Sequence, residues 1–132
     1  MKRIVIVALL ISIGSSFAQD DNNLVINPSF ESLKGKLKKQ KQISVATNWE
    51  SPTELSADLF SSKVKELVGT PKNVYGKETP YDGENYAGIV ALSYNNKEPR
   101  TYLQTELLGA LKKGTQYCLK FNVSLADKSK YS

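Results

Sequence analysis

Between Tyr117 and Leu125 the chain alternates without a break. Tyr117, Leu119, Phe121, Val123 and Leu125 fall on one side, and Cys118, Lys120, Asn122 and Ser124 on the other. A period of two is the mark of a half-buried β-strand. This row of five apolar side chains has to face a core, so the pattern commits the chain to a sheet.

The remaining segments agree with that class. "NNLVIN" alternates briefly before Pro28 ends any ladder, giving a first strand near 24–27. "ISVATNW" places Ile43, Val45, Thr47 and Trp49 on one side, a strand over 43–49 with Trp49 as core anchor. "YAGIVALSY" is apolar on both sides and short, which predicts a central strand over 86–93. "TYLQTELL" alternates with Leu103, Thr105 and Leu107 inward, a strand over 102–108. The row described first gives a strand over 116–125. Between Thr53 and Leu67, the positions Leu55, Leu59, Phe60, Val64 and Leu67 fit a helical stripe, so a short helix or a long loop is expected there. "TPKNVYGKETPYDGEN" reads as loop. Five strand candidates joined by turn-rich connections predict an all-β fold, an antiparallel β-sandwich.

The first 18 residues stand apart. Lys2 and Arg3 precede the apolar "IVIVALLISIG", and "SFA" ends at Ala18 as a small-residue cleavage site. This is the layout of a secretory signal peptide. The expected domain is therefore 19–132, a partial β-sandwich, behind a leader of 1–18. Mass spectrometry of the exported protein should find Gln19 at its N-terminus, and an intact Met1 on protein recovered from the envelope would contradict this. Losing Lys2 and Arg3 lowers the formal charge from +5 to +3. A mature chain this mildly basic gives no argument for a nucleic-acid partner.

The chain has one cysteine, Cys118, and no histidine. One cysteine cannot form an internal disulfide, and its place on the strand reads as a small side chain rather than a reactive thiol. Without histidine there is no Ser-His or Cys-His nucleophile pair and none of the common zinc sites. Acids such as Glu31, Asp58, Glu84 and Glu106 are present, but their spacing selects no catalytic pair. The chain is not expected to be an enzyme.

Several segments taken together resemble a known family. "NLVINPSFE", the following "NW", "ADLF", "YDGENYAGIVAL" and "EPRTYLQTELLGALKKGTQYCLKFNVSLADKSKYS" are similar to the N-terminal β-jelly-roll region of the OmpA-family outer-membrane proteins of Bacteroidetes-type bacteria. The layout is also similar to galactose-binding-like carbohydrate modules. The resemblance spans nearly all of 19–132 and is most specific from Glu98 to Tyr131. It implies a jelly-roll sandwich, incomplete at the C-terminus, because in that family further strands and an OmpA domain follow "SLADKSKY". The implied function is that of a noncatalytic, exported envelope module binding a glycan or protein partner at the outer membrane. Membrane association would come only through the downstream domains. A second reading is a carbohydrate-binding appendage of a secreted glycoside hydrolase.

The same layout suggests roles for particular residues. It implies a structural calcium at Glu31, the only cofactor considered, although one carboxylate falls short of the six to eight oxygens calcium takes, and a plain turn carboxylate is the alternative. Asp82, Glu84 and Asn85 surround Gly83 and are either ligand or metal oxygens or an Asx-Gly turn. Tyr81 lies in that loop, and Tyr102 lies on the outer side of its strand with Arg100 close by in sequence. Tyr81, Asp82, Glu84, Arg100 and Tyr102 are the candidate ligand contacts, through ring stacking and hydrogen bonding to sugar hydroxyls or a carboxylate. The run from Lys34 to Lys41 holds five lysines and is either a solvated loop or a contact for an anionic polymer. Regularly interleaved aromatics are missing from it, which argues against single-stranded nucleic acid.

Overall fold

The structure is a computed structural model that describes residues 23–129, apart from 94, 96 and 98. The expected leader and the chain's last three residues lie outside that range. The fold is small and β-rich, with short 3-10 helices at Ile43–Val45 and Glu66–Val68 among the described residues. Its strands are β1 (Trp49–Glu50), β2 (Asp58–Ser61), β3 (Lys72–Asn73), β4 (Gly76–Lys77), β5 (Asn85–Gly88) and β6 (Gln104–Thr105). They form three antiparallel pairs, β1 with β6, β2 with β5, and β3 with β4.

The β2–β5 pair is the centre of the fold. Its register sets Asp58 opposite Gly88, Leu59 opposite Ala87, Phe60 opposite Tyr86 and Ser61 opposite Asn85. All four residues of β2 are buried, so both of its faces are covered. A strand thus stands where a short helix or a long loop is expected over 53–67, and the helical part is confined to the 3-10 turn Glu66–Val68. Leu59 and Phe60 are adjacent because each faces a different packed layer, and a strand covered on both sides shows an apolar run in place of alternation. Phe60 stacks on Tyr86 with ring centroids 5.0 Å apart and meets Tyr75 edge-on at 6.0 Å. Gly88 leaves room for it: a Cβ there would lie 2.7 Å from Phe60 Cε2.

The core consists of Leu37, Ile43, Ala46, Ala57, Leu59, Phe60 and Val68, with Trp49, Phe30, Tyr75 and Tyr86 among the partly buried side chains against it. Leu37 belongs to the lysine-rich loop. Gln42 Oε1 accepts from the backbone N–H groups of Lys38 and Lys39 at 2.9 and 2.8 Å, tightening that loop while Leu37 is pinned inside. Asp58 is buried beside it and accepts from Lys41 N–H at 2.6 Å and from the Tyr75 hydroxyl at 3.2 Å. Those bonds offset the cost of burying its carboxylate.

Other expectations are shortened or displaced. Near 24–27 only an isolated bridge forms, Val25 to Leu107. Over 43–49 the chain makes a 3-10 turn, Ile43–Val45, before β1. Ala46 closes that turn with a bond to Ile43 O and is itself fully buried, so an alternating pattern is used here as a turn. The strand expected at 86–93 stops at Gly88, and that at 102–108 reduces to β6 with bridges at Tyr102 and Leu107. The stretch read as loop holds the hairpin of β3 and β4.

The largest departure is the segment 116–125. No ladder forms there, and every described residue from 106 to 129 is exposed. Leu119, Phe121, Val123 and Leu125 are 77%, 73%, 82% and 60% exposed, so the apolar row adds nothing to the core. Beyond it the chain is tied back to the β3–β4 hairpin. Asp127 Oδ2 accepts from Lys77 N–H at 2.7 Å, Lys128 N–H donates to Tyr75 O at 3.0 Å, and the Lys128 ammonium donates to Val74 O at 2.8 Å.

Burial raises the pKa of Tyr86 above the ordinary tyrosine value of 10.0 and outweighs the hydrogen bond from Asn73 Nδ2, which favours the phenolate. The folded state thus holds the phenol proton longer than the unfolded state. The stability this gives is fully present below pH 10.0 and is lost as pH rises through the raised value. Denaturant melts of the wild type should show this alkaline fall, and Tyr86→Phe should flatten it. Equal alkaline slopes in the two proteins would contradict the assignment.

Candidate binding site

The N-terminal turn is organised by Asn27. Asn27 takes a positive φ of 54°, a conformation asparagine tolerates better than most residues. Its amide Nδ2 donates to Ser32 O and Thr47 O, both at 3.0 Å, and its Oδ1 accepts from Ser32 N–H at 2.9 Å. The Trp49 indole N–H donates to Asn27 O at 2.8 Å, and the Trp49 ring lies 4.7 Å from Phe30. Residues 32–34 run beside 45–47 through Thr47 N–H to Ser32 O and Lys34 N–H to Val45 O. In the sequence Asn27 reads only as the end of the strand expected near 24–27, with no role in a turn or site. The signal available was its place before Pro28 and "SFES", a turn sequence whose side-chain amide can bridge backbone.

Glu31 projects from this turn to the start of β5. Its Oε1 accepts from the backbone N–H groups of Glu84 and Asn85 at 2.8 and 2.9 Å, and its Oε2 accepts from Asn85 Nδ2 at 2.9 Å. Gly83 has φ +69°, and a Cβ there would collide with Glu31 Oε1. Glu31 is thus a clamp joining two segments more than fifty residues apart. The donor set does not fit calcium. Both oxygens face N–H groups, which would point their positive ends at a cation. No group of three metal-ligating side chains converges among the described residues. The only buried side-chain oxygen without a partner among them is Asn85 Oδ1.

The predicted ligand residues do not converge. Tyr81 is 84% exposed, Asp82 caps Gly83 N–H at 2.9 Å, and Glu84 pairs with Lys63 at 2.5 Å. Glu84 raises the pKa of Lys63 through a hydrogen bond and through its charge, but on an open surface such a pair contributes little. Tyr102 lies elsewhere, at the Ser51–Ser56 segment, where its O accepts from Ser51 Oγ at 2.7 Å, and Arg100, two residues before it, is exposed. No hydrogen bond or ring contact joins the two groups among the described residues.

A cleft of about 270 Å³ opens instead at the β1–β6 pair, lined by Lys34, Thr47, Asn48, Trp49, Glu50, Thr105 and Glu106. The register sets Trp49 opposite Thr105 and Glu50 opposite Gln104, and Gln104 Nε2 holds Glu50 Oε1 at 3.1 Å. Asn48 reaches the rim through a positive φ of 66°. The sequence reading missed this cleft because its walls come from three distant stretches.

No protein-family model matches this chain, and no curated protein or solved structure is significantly similar to it. No helix among the described residues is long and apolar enough to cross a membrane.

Proposed function

We propose that the protein is a noncatalytic, exported module of the cell envelope, of the OmpA-family-like kind, whose segment 116–125 pairs with a β-strand of a protein partner at the outer membrane. The observation that supports this reading is the segment itself. It has strand alternation, an apolar face left in solvent, and no backbone hydrogen bond from 116 to 123 among the described residues. Added strands bind through main-chain bonds, while alternate side chains give specificity. The outer side carries Lys120, with Lys112, Lys113 and Lys128 nearby. The fitting partner strand is therefore apolar at every second position and acidic across from Lys120.

Fractionation tests this reading. Wild-type protein should stay with the envelope, and cross-linking through Cys118, which is exposed on the segment, should join it to a protein. Phe121→Lys should be released while its circular dichroism is unchanged. Retention of Phe121→Lys at the wild-type level would contradict the proposal.

A further inference from the structure

We propose that the cleft at the β1–β6 pair is a second, separate binding site, and that it takes one amine-bearing sugar unit. Its volume of about 270 Å³ suits a single ring, just below the range of roughly 300–1,000 Å³ typical of small-molecule pockets. Its lining brings together one aromatic, Trp49, two carboxylates, Glu50 and Glu106, and one ammonium, Lys34. Trp49 is fixed by its indole bond to Asn27 O and by Phe30, and Glu50 is held from one side by Gln104. Those two groups are therefore already positioned.

Two charged side chains of the cleft are free. Lys34 and Glu106 make no ion pair or side-chain hydrogen bond with any described residue, although they line the same cleft. The charged groups sum to one net negative charge, which opposes an anionic ligand and favours a cationic one. A protonated amine satisfies Glu106 and the free oxygen of Glu50, a ring hydroxyl accepts from Lys34, and the ring's C–H face lies on the exposed part of Trp49. An ammonium close to the indole gains further from the negative face of its ring.

Trp49 is the chain's single tryptophan, so all of the tryptophan fluorescence comes from a side chain that lines this cleft. The full chain is titrated with glucosamine, glucose, glucuronate and ethanolamine. Glucosamine should shift the Trp49 emission and bind at least about tenfold more tightly than glucose, a difference of about 1.4 kcal/mol. Glucuronate should give no shift, and ethanolamine should bind more weakly than glucosamine. Glu106→Gln removes an exposed charge, so it should leave the fold intact and bring glucosamine down to the level of glucose. Silence of Trp49 toward glucosamine would overturn the site. Equal binding of glucose or glucuronate would overturn the amine, and ethanolamine binding as well as glucosamine would overturn the sugar. Since the strand segment is not involved, Phe121→Lys should leave these titrations unchanged.

Discussion

Replacing Leu119 and Phe121 together by serine should turn the isolated protein from a self-associating species into a monodisperse monomer. These side chains are 77% and 73% exposed in a segment without backbone pairing among the described residues. Burying one such side chain is worth roughly 1.5–3 kcal/mol. Two copies that pair their segments therefore gain several times the thermal energy, and an unpaired strand with an apolar face is an aggregation site. The double variant removes most of that gain. Neither side chain touches the core, so the unfolding free energy should change by less than about 0.5 kcal/mol. Sedimentation velocity and a hydrophobic dye read the two effects. A variant that stays associated would show that the row does not drive self-association, and one that no longer folds would show that the row is packed within the domain.

Glu31→Ala should be the most damaging single substitution outside the core. It leaves the backbone N–H groups of Glu84 and Asn85 without their acceptor and reduces the Asn85 side-chain amide to its longer bond to Phe30 O. Asn85 is 3% exposed, so water cannot easily replace the carboxylate there. Bonds to a charged acceptor are worth about 1.5–3 kcal/mol each, and part of that loss is recovered by relaxation, which leaves a cost of about 3–5 kcal/mol. Against a total stability of about 5–15 kcal/mol this approaches global unfolding. Glu31→Gln keeps one oxygen for the two backbone donors but turns its own amide toward that of Asn85, so it should fall between wild type and alanine. Thermal melts give the order directly. Equal melting of Glu31→Ala and wild type would remove the clamp from the account.

The β-rich class was legible because the short apolar run at β5 and the alternation around β6 are both strand patterns and turn residues separate the strands. β2 was not. A doubly covered strand loses its period of two, and Leu55, Leu59, Phe60, Val64 and Leu67 happen to share helical spacing. Leu37 was hidden among lysines, where a single apolar side chain carries no periodic signal, although the loop folds to bury it. At the candidate site, Glu31 was singled out, but its partners lie 53 and 54 residues away, and no local pattern shows that they are N–H donors. Trp49 was read as a core anchor; it packs against the core and also lines the cleft. The other walls of that cleft, Lys34, Thr105 and Glu106, meet it only through the pairing of β1 with β6. Tyr81 reads as a loop residue and Tyr102 as an outer-face residue; they are 84% and 46% exposed, but exposure alone does not bring residues together.

Backbone amide exchange in a dilute, monomeric solution tests most directly whether 116–125 is a strand without a partner. Amides of β2 and β5 should be protected by orders of magnitude, because their ladder is buried. Amides of Leu119, Phe121 and Val123 should exchange at close to the free-chain rate, and should become protected when a partner strand is bound. Protection of these three in the monomer, at the level of β2 and β5, would mean that the segment closes onto its own sheet, and the proposed strand addition would fall.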